Sequence, residues 1–191
     1  MGGLLNATTP DDATGWPVER LLDHIVEVHH AYVRAALPRI TSELATILEA
    51  HGSRHPELAR VAEHFGHLRD DFEQHLMKEE HVLFPYVREL AGRAGPCGLL
   101  RSPFGTVENP IHMMEREHAD ADRMLTNIRE LTRGYASPED GGSTYAACMA
   151  DLREFERDFH RHVFLENDVL FPRAVELENR AVGNADVPAS S

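Results

Sequence analysis

The chain has 191 residues, enough for one domain with a sizeable core. It carries 32 Asp plus Glu against 19 Lys plus Arg, a formal net charge of −13, so it lacks the basic face that nucleic acid or an anionic membrane demands. No apolar run approaches the ~18 residues of a membrane span, the N-terminus lacks the basic start and apolar block of a secretion signal, and Cys97 and Cys148 cannot make a disulfide framework. A cytoplasmic protein is the expectation.

Residues 1–15 read as a flexible leader, Gly-rich and then TTPDD. From Pro17 the apolar positions recur at steps of three and four, through Val26, His30, Val33, Leu37, Ile40, Leu44 and Ile47, the spacing of one helix face. Gly52 and Pro56 mark a turn. A second helix is predicted from about Glu57 to Leu90, with Val61, Phe65, Leu68, Phe72, His75, Glu79, Val82 and Tyr86 on its inner stripe. A Gly/Pro-rich crossover with Cys97 follows. The third helix is placed near Pro110 with Asn109 as its cap, and is expected to stop at Gly134. After the loop ASPEDGGS, the fourth is predicted over about Thr144 to Glu178, with Phe155, Phe159, His162, Glu166 and Val169 inward. Residues 179–191 read as a disordered tail, leaving 16–178 as the domain. No window alternates at period two, so the fold class is all-α: an antiparallel four-helix bundle.

The segment HLMKEEHVLFP at 75–85 recurs as HVFLENDVLFP at 162–172, identical at six of eleven positions. His75 and His162 are 87 residues apart, and His30 and His118 are 88 apart. The bundle therefore reads as two pseudo-repeated helical hairpins. In His-x-x-x-Glu on a helix, the imidazole and carboxylate lie one turn apart on the same face, and here that face is the apolar stripe. An unpaired ionised carboxylate in such a core is very unfavourable, and two are worse. No Lys or Arg occupies the stripe at that level; Lys78 sits one step off it. A pair of cations would neutralise Glu79 and Glu166 and use the imidazoles as well.

Chain arithmetic supports a shared centre. His30 lies about 22 residues before the first turn and His75 about 22 after it, ~33 Å in either case at ~1.5 Å per residue. His118 and His162 are similarly placed about the loop near residue 140. A single inward histidine is commonly a hydrogen-bonded core residue. Two copies of the motif, with two further histidines at matching height, point instead to metal at His30, His75, Glu79, His118, His162 and Glu166. Mixed nitrogen and oxygen ligation with bridging carboxylates suits iron best, ahead of manganese or zinc. An alternative uses Glu27 and Glu115, each three residues before a histidine, with Glu79 and Glu166 in a ferritin-like carboxylate site; it leaves His75 and His162 without a role. His24, His29, His55, His64, His67, His81, His112 and His160 read as surface residues or neighbours of the site, and the repeated Leu-Phe-Pro as a device that bends the helix beneath it.

HHAYVRAALP at 29–38, HLMKEEHVLFP, NPIHMMEREH at 109–118 and HVFLENDVLFPRA at 162–174 together resemble the haemerythrin-like (HHE cation-binding) domain, and within it the di-iron proteins for Repair of Iron Centres. The resemblance spans about residues 20–178. It implies a haemerythrin-like bundle with two non-haem iron ions, His30, His75, His118 and His162 as terminal ligands, and Glu79 and Glu166 bridging beside an oxo or hydroxo group. It implies a role in nitrosative and oxidative stress, supplying iron for repair of damaged iron-sulfur proteins. The alternatives it leaves are an O2- or NO-binding sensor or scavenger, and an enzyme reducing NO or peroxide at the same centre. Oxygen-carrying haemerythrins resemble the chain less closely, since they have a fifth histidine. The family pattern also carries a His where His51 stands, but that residue is ~31 Å along the helix from His30 and is left out of the site. Many members have an extra N-terminal domain with a cysteine pair; a short leader without cysteine is expected in that place here.

Overall fold

The computed structural model describes residues 13–92 and 104–183. Cys97 and the first twelve residues of the leader lie outside the described residues. Four long helical rods account for nearly all of the rest. Rod α1 (residues 18–51) joins Val18–His24, a π-helical turn Ile25–His30 and Ala31–His51. Rod α2 (57–91) joins Glu57–Lys78, a π turn Glu79–Leu83 and Phe84–Ala91. Rod α3 is the unbroken helix Glu108–Leu131. Rod α4 (142–183) joins Gly142–Phe164, a π turn Leu165–Leu170 and Phe171–Gly183. The described residues contain no strand. No helix among them is long and apolar enough to cross a membrane.

The rods run antiparallel, and their apolar stripes divide the core in two. One cluster fills the end near the tight turns, from Leu37, Ile40, Leu44 and Ile47 on α1, Leu58, Val61, Phe65 and Phe72 on α2, and Phe155 and Phe159 on α4. Phe155 meets Phe65 and Phe72 edge-on, with ring centroids 5.6 and 6.2 Å apart. The other cluster gathers Trp16, Leu22, Leu83, Phe84, Ile111 and Phe171 at the opposite end. Between the two lies a layer of buried polar side chains.

The π turns are where periodicity and structure part. Val82, expected on the inner stripe of α2, is 46% exposed, and Leu83 takes the inward place at 1%. A π turn holds one more residue than an α turn, so beyond Glu79 the inward position moves one step along the chain. A local cause is available in two rods. A proline ring clashes with the carbonyl four residues back and removes a donor; Pro85 and Pro172 stand two residues past the widened turns, and those carbonyls, of His81 and Asp168, lie inside them. The π turn of α1 has no such proline, and nothing in its residues explains it. Pro38 sits inside an unbroken α-helical stretch.

Several boundaries differ from the sequence reading. Helix α3 starts at Glu108, not Pro110, and Asn109 does not cap it: its Nδ2 donates to the Phe104 carbonyl at 2.8 Å. The carboxylate of Glu178 on α4 serves that end instead, accepting from the Val107 amide at 2.9 Å and from Thr106 Oγ1 at 2.8 Å, while also accepting from the Tyr86 hydroxyl at 2.6 Å. A negative group suits a helix N-terminus. Helix α3 ends at Leu131, and the turn after it puts Arg133, Gly134 and Tyr135 at positive φ. Ala13–Gly15, placed in the leader, form a 3₁₀ turn with Ala13 buried. Helix α4 continues to Gly183, beyond the expected 178.

Two predictions follow from this packing. Replacing Glu178 with Ala unties α2, α3 and α4 at one point and should cost about 1.5–3 kcal/mol, the range for lost charge-assisted hydrogen bonds; urea denaturation with amide exchange at residues 107–109 would measure both the loss and its location. Burial, reinforced by the nearby Glu43 carboxylate, pushes the fully enclosed Cys148 thiol up to about 12. In a Cys97→Ser background, iodoacetamide at pH 8 should therefore leave the native protein unlabelled and label it after unfolding, where the thiol returns to its ordinary value near ~8.5.

Candidate metal centre

All six residues singled out by the repeat meet in the polar layer. His30, Glu79, His162 and Glu166 are 0% exposed, His118 2% and His75 3%. They fall into two overlapping groups: His30, Glu79, His162 and Glu166 form one, and His75, Glu79, His118 and Glu166 the other. In each, the candidate ligand atoms all lie within 4.8 Å of one another. Both carboxylates belong to both groups, while each pair of histidines belongs to one. One pair joins α1 to α4 and the other joins α2 to α3.

The imidazole Nε2 atoms face the centre. His30 and His162 approach Nε2 to Nε2 at 3.2 Å, and His75 and His118 at 3.1 Å. Glu79 Oε2 lies 3.3 Å from Nε2 of both His30 and His75, and Glu166 Oε2 lies 3.1 Å from His118 Nε2. His162 Nε2 and Glu166 Oε1 are 2.8 Å apart. Even so, both oxygens of Glu79 and Oε2 of Glu166 are buried without a properly aligned hydrogen-bond partner. Buried carboxylate oxygens left in this way are very costly. The donor set, four inward imidazole nitrogens around two under-satisfied carboxylates, fits a pair of cations.

Electrostatics tell the same story from the protons. Burial works against protonating His30, but hydrogen bonds and charges from Glu166 and Glu79 outweigh it and hold the imidazole up at about 9. For His75 burial is again the largest effect, overcome by the charge of Glu79 and hydrogen bonds to Glu117 and Glu79, and the group stands at about 10. Burial and mutual repulsion raise Glu79, yet His75 and His30 bring it below its usual value. Burial also raises Glu166, and His162, His118 and His30 bring it well below. Burial keeps His162 low despite Glu166. Without metal, two carboxylates thus stay ionised by borrowing two imidazolium charges, a role that bound cations would take over.

Outside this ring, the Nδ1 atoms are held by residues that sequence reasoning had not assigned to the site. His30 Nδ1 donates to Glu80 at 2.6 Å, His75 Nδ1 to Glu117 at 3.0 Å, and His118 Nδ1 to the Asn167 side-chain oxygen at 3.0 Å. Such contacts orient a ligating imidazole and raise its basicity. Arg34 also reaches Glu80, at 2.8 Å. The available signal was positional: Glu80 and Asn167 occupy equivalent places after the two inward glutamates, and Glu117 precedes His118. The hydrogen bond from His75 is the largest influence on Glu117, and together with Lys78 it holds that carboxyl down at about 2 against its burial.

His29, read as peripheral, is fully buried, with Nδ1 3.0 Å from Asp158 and its ring stacked on His162 at 5.9 Å and 10°. His51 lies at the distant turns, edge-on to Tyr145 at 5.6 Å and near Arg54, and belongs to neither group. Glu27 and Glu115 are exposed and also belong to neither, so the ferritin-like arrangement is not the one formed.

A four-helix bundle with a buried, histidine-rich double cluster defines a class of cation-binding helical proteins. The Hemerythrin HHE cation binding domain family matches residues 21–174, and the chain belongs to that family. It is 32% identical over 171 residues to the iron-sulfur cluster repair protein YtfE of Edwardsiella ictaluri, an alignment covering 88% of this chain and 72% of that one. It is 30% identical over 175 residues to the protein of the same name from Pectobacterium carotovorum, covering 90% and 74%. The iron-sulfur cluster repair protein DnrN of Neisseria gonorrhoeae is 29% identical over 160 residues, covering 84% of this chain and 93% of that one.

The geometry separates the two carboxylate assignments experimentally. Glu27→Gln and Glu115→Gln should leave metal content unchanged, whereas Glu79→Gln or Glu166→Gln should reduce it at both positions together, as read by elemental analysis of the purified variants.

Proposed function

We propose that the chain holds two iron ions in the polar layer and supplies iron for repair of damaged iron-sulfur clusters. The observation that carries this reading is the sharing of both buried carboxylates between two histidine pairs. It suits two ions with Glu79 and Glu166 as bridges, an oxo or hydroxo group completing the bridge, and His30, His75, His118 and His162 as terminal ligands. The names of its relatives, iron-sulfur cluster repair proteins, support the destination of the iron, and the proposed setting is the cytoplasm under nitrosative and oxidative stress.

Bound there, ferrous iron would supply a transferable cation and an open coordination position. The chain's own residues do the rest. The four imidazoles present neutral nitrogen to the centre, with three of them oriented from outside by Glu80, Glu117 and Asn167. The two apolar clusters, above and below, keep water from the carboxylates. Two bridging carboxylates and two imidazoles per ion leave the coordination of each ion incomplete, which favours release over permanent storage.

The test mixes the iron-loaded protein with an enzyme whose cluster has been damaged by nitric oxide or peroxide. Activity should recover faster or further than with an equal amount of free ferrous iron; recovery equal to that control would remove the repair reading. A cleft of about 180 Å³ that reaches His75 and His118 is large enough for O2 or NO, and it supports a second reading as a gas-binding module. A reversible oxy spectrum from the reduced protein would favour that alternative.

A further inference from the structure

Among the places where the two copies of the duplication differ around the centre, two change the outer surroundings of the histidine pairs, and both fall on the same side. Some outer contacts are kept: Glu80 and Asn167, 87 residues apart, each hold the Nδ1 of the histidine on the preceding rod. The residue before His118 is Glu117, which accepts from His75. Its counterpart before His30 is His29, which does not hydrogen-bond to His162 but stacks flat on it and turns its Nδ1 to Asp158. Likewise Lys78, three residues after His75, has Leu165 as its counterpart after His162. Lys78 is half-exposed and bonds to Glu117; Leu165 is fully buried.

These replacements give the two histidine pairs different surroundings. His162 is enclosed by rings: His29 covers it, and His24 and Trp16 continue the layer outward, with centroids 5.5 and 5.1 Å apart in turn. A phenylalanine ring is common to both pairs, Phe84 on His30 at 5.7 Å and its counterpart Phe171 on His118 at 6.3 Å, and His30 keeps its bond to Glu80. His75 and His118 instead line the inner wall of the cleft between α2 and α3. Its mouth carries Asp71 and Asp120, and Lys78 and Glu117 also line it. The Lys78–Glu117 bond joins α2 to α3 across the cleft, and Glu117 is also the carboxylate that orients His75.

We propose that the two ion positions are inequivalent: the one at His75 and His118 exchanges with solvent through the α2–α3 cleft, gated by the Lys78–Glu117 ion pair, while the one at His30 and His162 is retained. The inference rests on the two-iron reading above and deepens it. The protein then delivers one ion per cycle, and the retained ion keeps Glu79 and Glu166 compensated while the other position is empty. With the Lys78 bond broken, Glu117 and then Asp71 and Asp120 would offer a leaving cation carboxylates along the cleft to solvent. Lys78 is a positioning residue here, because it acts through Glu117 and touches no proposed ligand in the described contacts.

The experiment loads the full chain with ferrous iron under argon, measures iron per chain, and then adds an excess of a ferrous chelator while following absorbance. Two phases of equal amplitude are expected. Lys78→Met should speed the fast phase by about two- to fivefold, the equivalent of an exposed ion pair, and leave the slow phase alone. Met124→Trp, which fills the cleft, should slow the fast phase. Crystals grown after the fast phase should show anomalous scattering between His30 and His162 only. Loading well below two irons per chain would overturn the two-iron reading itself. Full loading followed by a single phase, or residual iron at His75 and His118, would overturn the inequivalence and leave that reading standing.

Discussion

Two carboxylates that are never exposed, Glu79 and Glu166, set the terms for the whole molecule. Ionised groups cannot sit in the middle of an apolar bundle unless something positive is held against them. Every rod contributes one histidine to that task, so the register of all four helices is tied to one level of the bundle. The two hydrophobic clusters lie on either side of this layer rather than forming one continuous core. The metal-free charge balance is a compromise, with raised imidazoles standing in for cations. Such an arrangement is costly as a purely structural core and suits a layer able to hold cations.

The departures from regular helix gather at the same level. Three rods widen into π turns, and those turns contain His30, Glu79 and Glu166. The effect is to aim successive residues at different neighbours: Glu79 inward to the centre, and Glu80 across to His30. A regular helix would have separated these directions by about 100° and continued the inner stripe through Val82. The widened turn brings an inward carboxylate and its neighbour's outer support onto adjacent residues. Helix α3 has no such turn and contributes only His118 to the inner ring.

This distinction explains what could be read from the chain beforehand. The four rods, their antiparallel order, the two-hairpin repeat and the six inward residues were legible, because each rests on a periodic pattern or on equal spacing from a turn. Val82 was misplaced because 3.6-residue periodicity does not register an inserted residue, although Phe-Pro at both repeats was its visible cause. Glu80, Glu117 and Asn167 carried only a positional signal as supports, since a polar residue beside a buried one reads as surface unless the local geometry is known. His29 was passed over for the opposite reason. Adjacent histidines cannot both lie on one regular stripe, and only the π turn with Asp158 opposite makes both of them inward. Asn109 had the right chemistry for a cap but lost that place to Glu178, which arrives from a distant part of the chain.

The repeat is most informative where it fails. Had both hairpins stayed identical, the two histidine pairs would have had matching outer contacts and matching access to solvent. Substituting His29 for the counterpart of Glu117 withdraws a carboxylate from His162, whose Nδ1 is left without a hydrogen-bond partner, and puts a flat ring over it. Substituting Leu165 for the counterpart of Lys78 closes the same side with an apolar group. A half-exposed carboxylate–lysine bond can open at modest cost, whereas a buried stack with a buried leucine nearby in the chain cannot open without exposing apolar surface to water. The inner ring is symmetric in its ligand set, and on the proposed reading the asymmetric outer shell would give one of two bound ions an easier way out than the other.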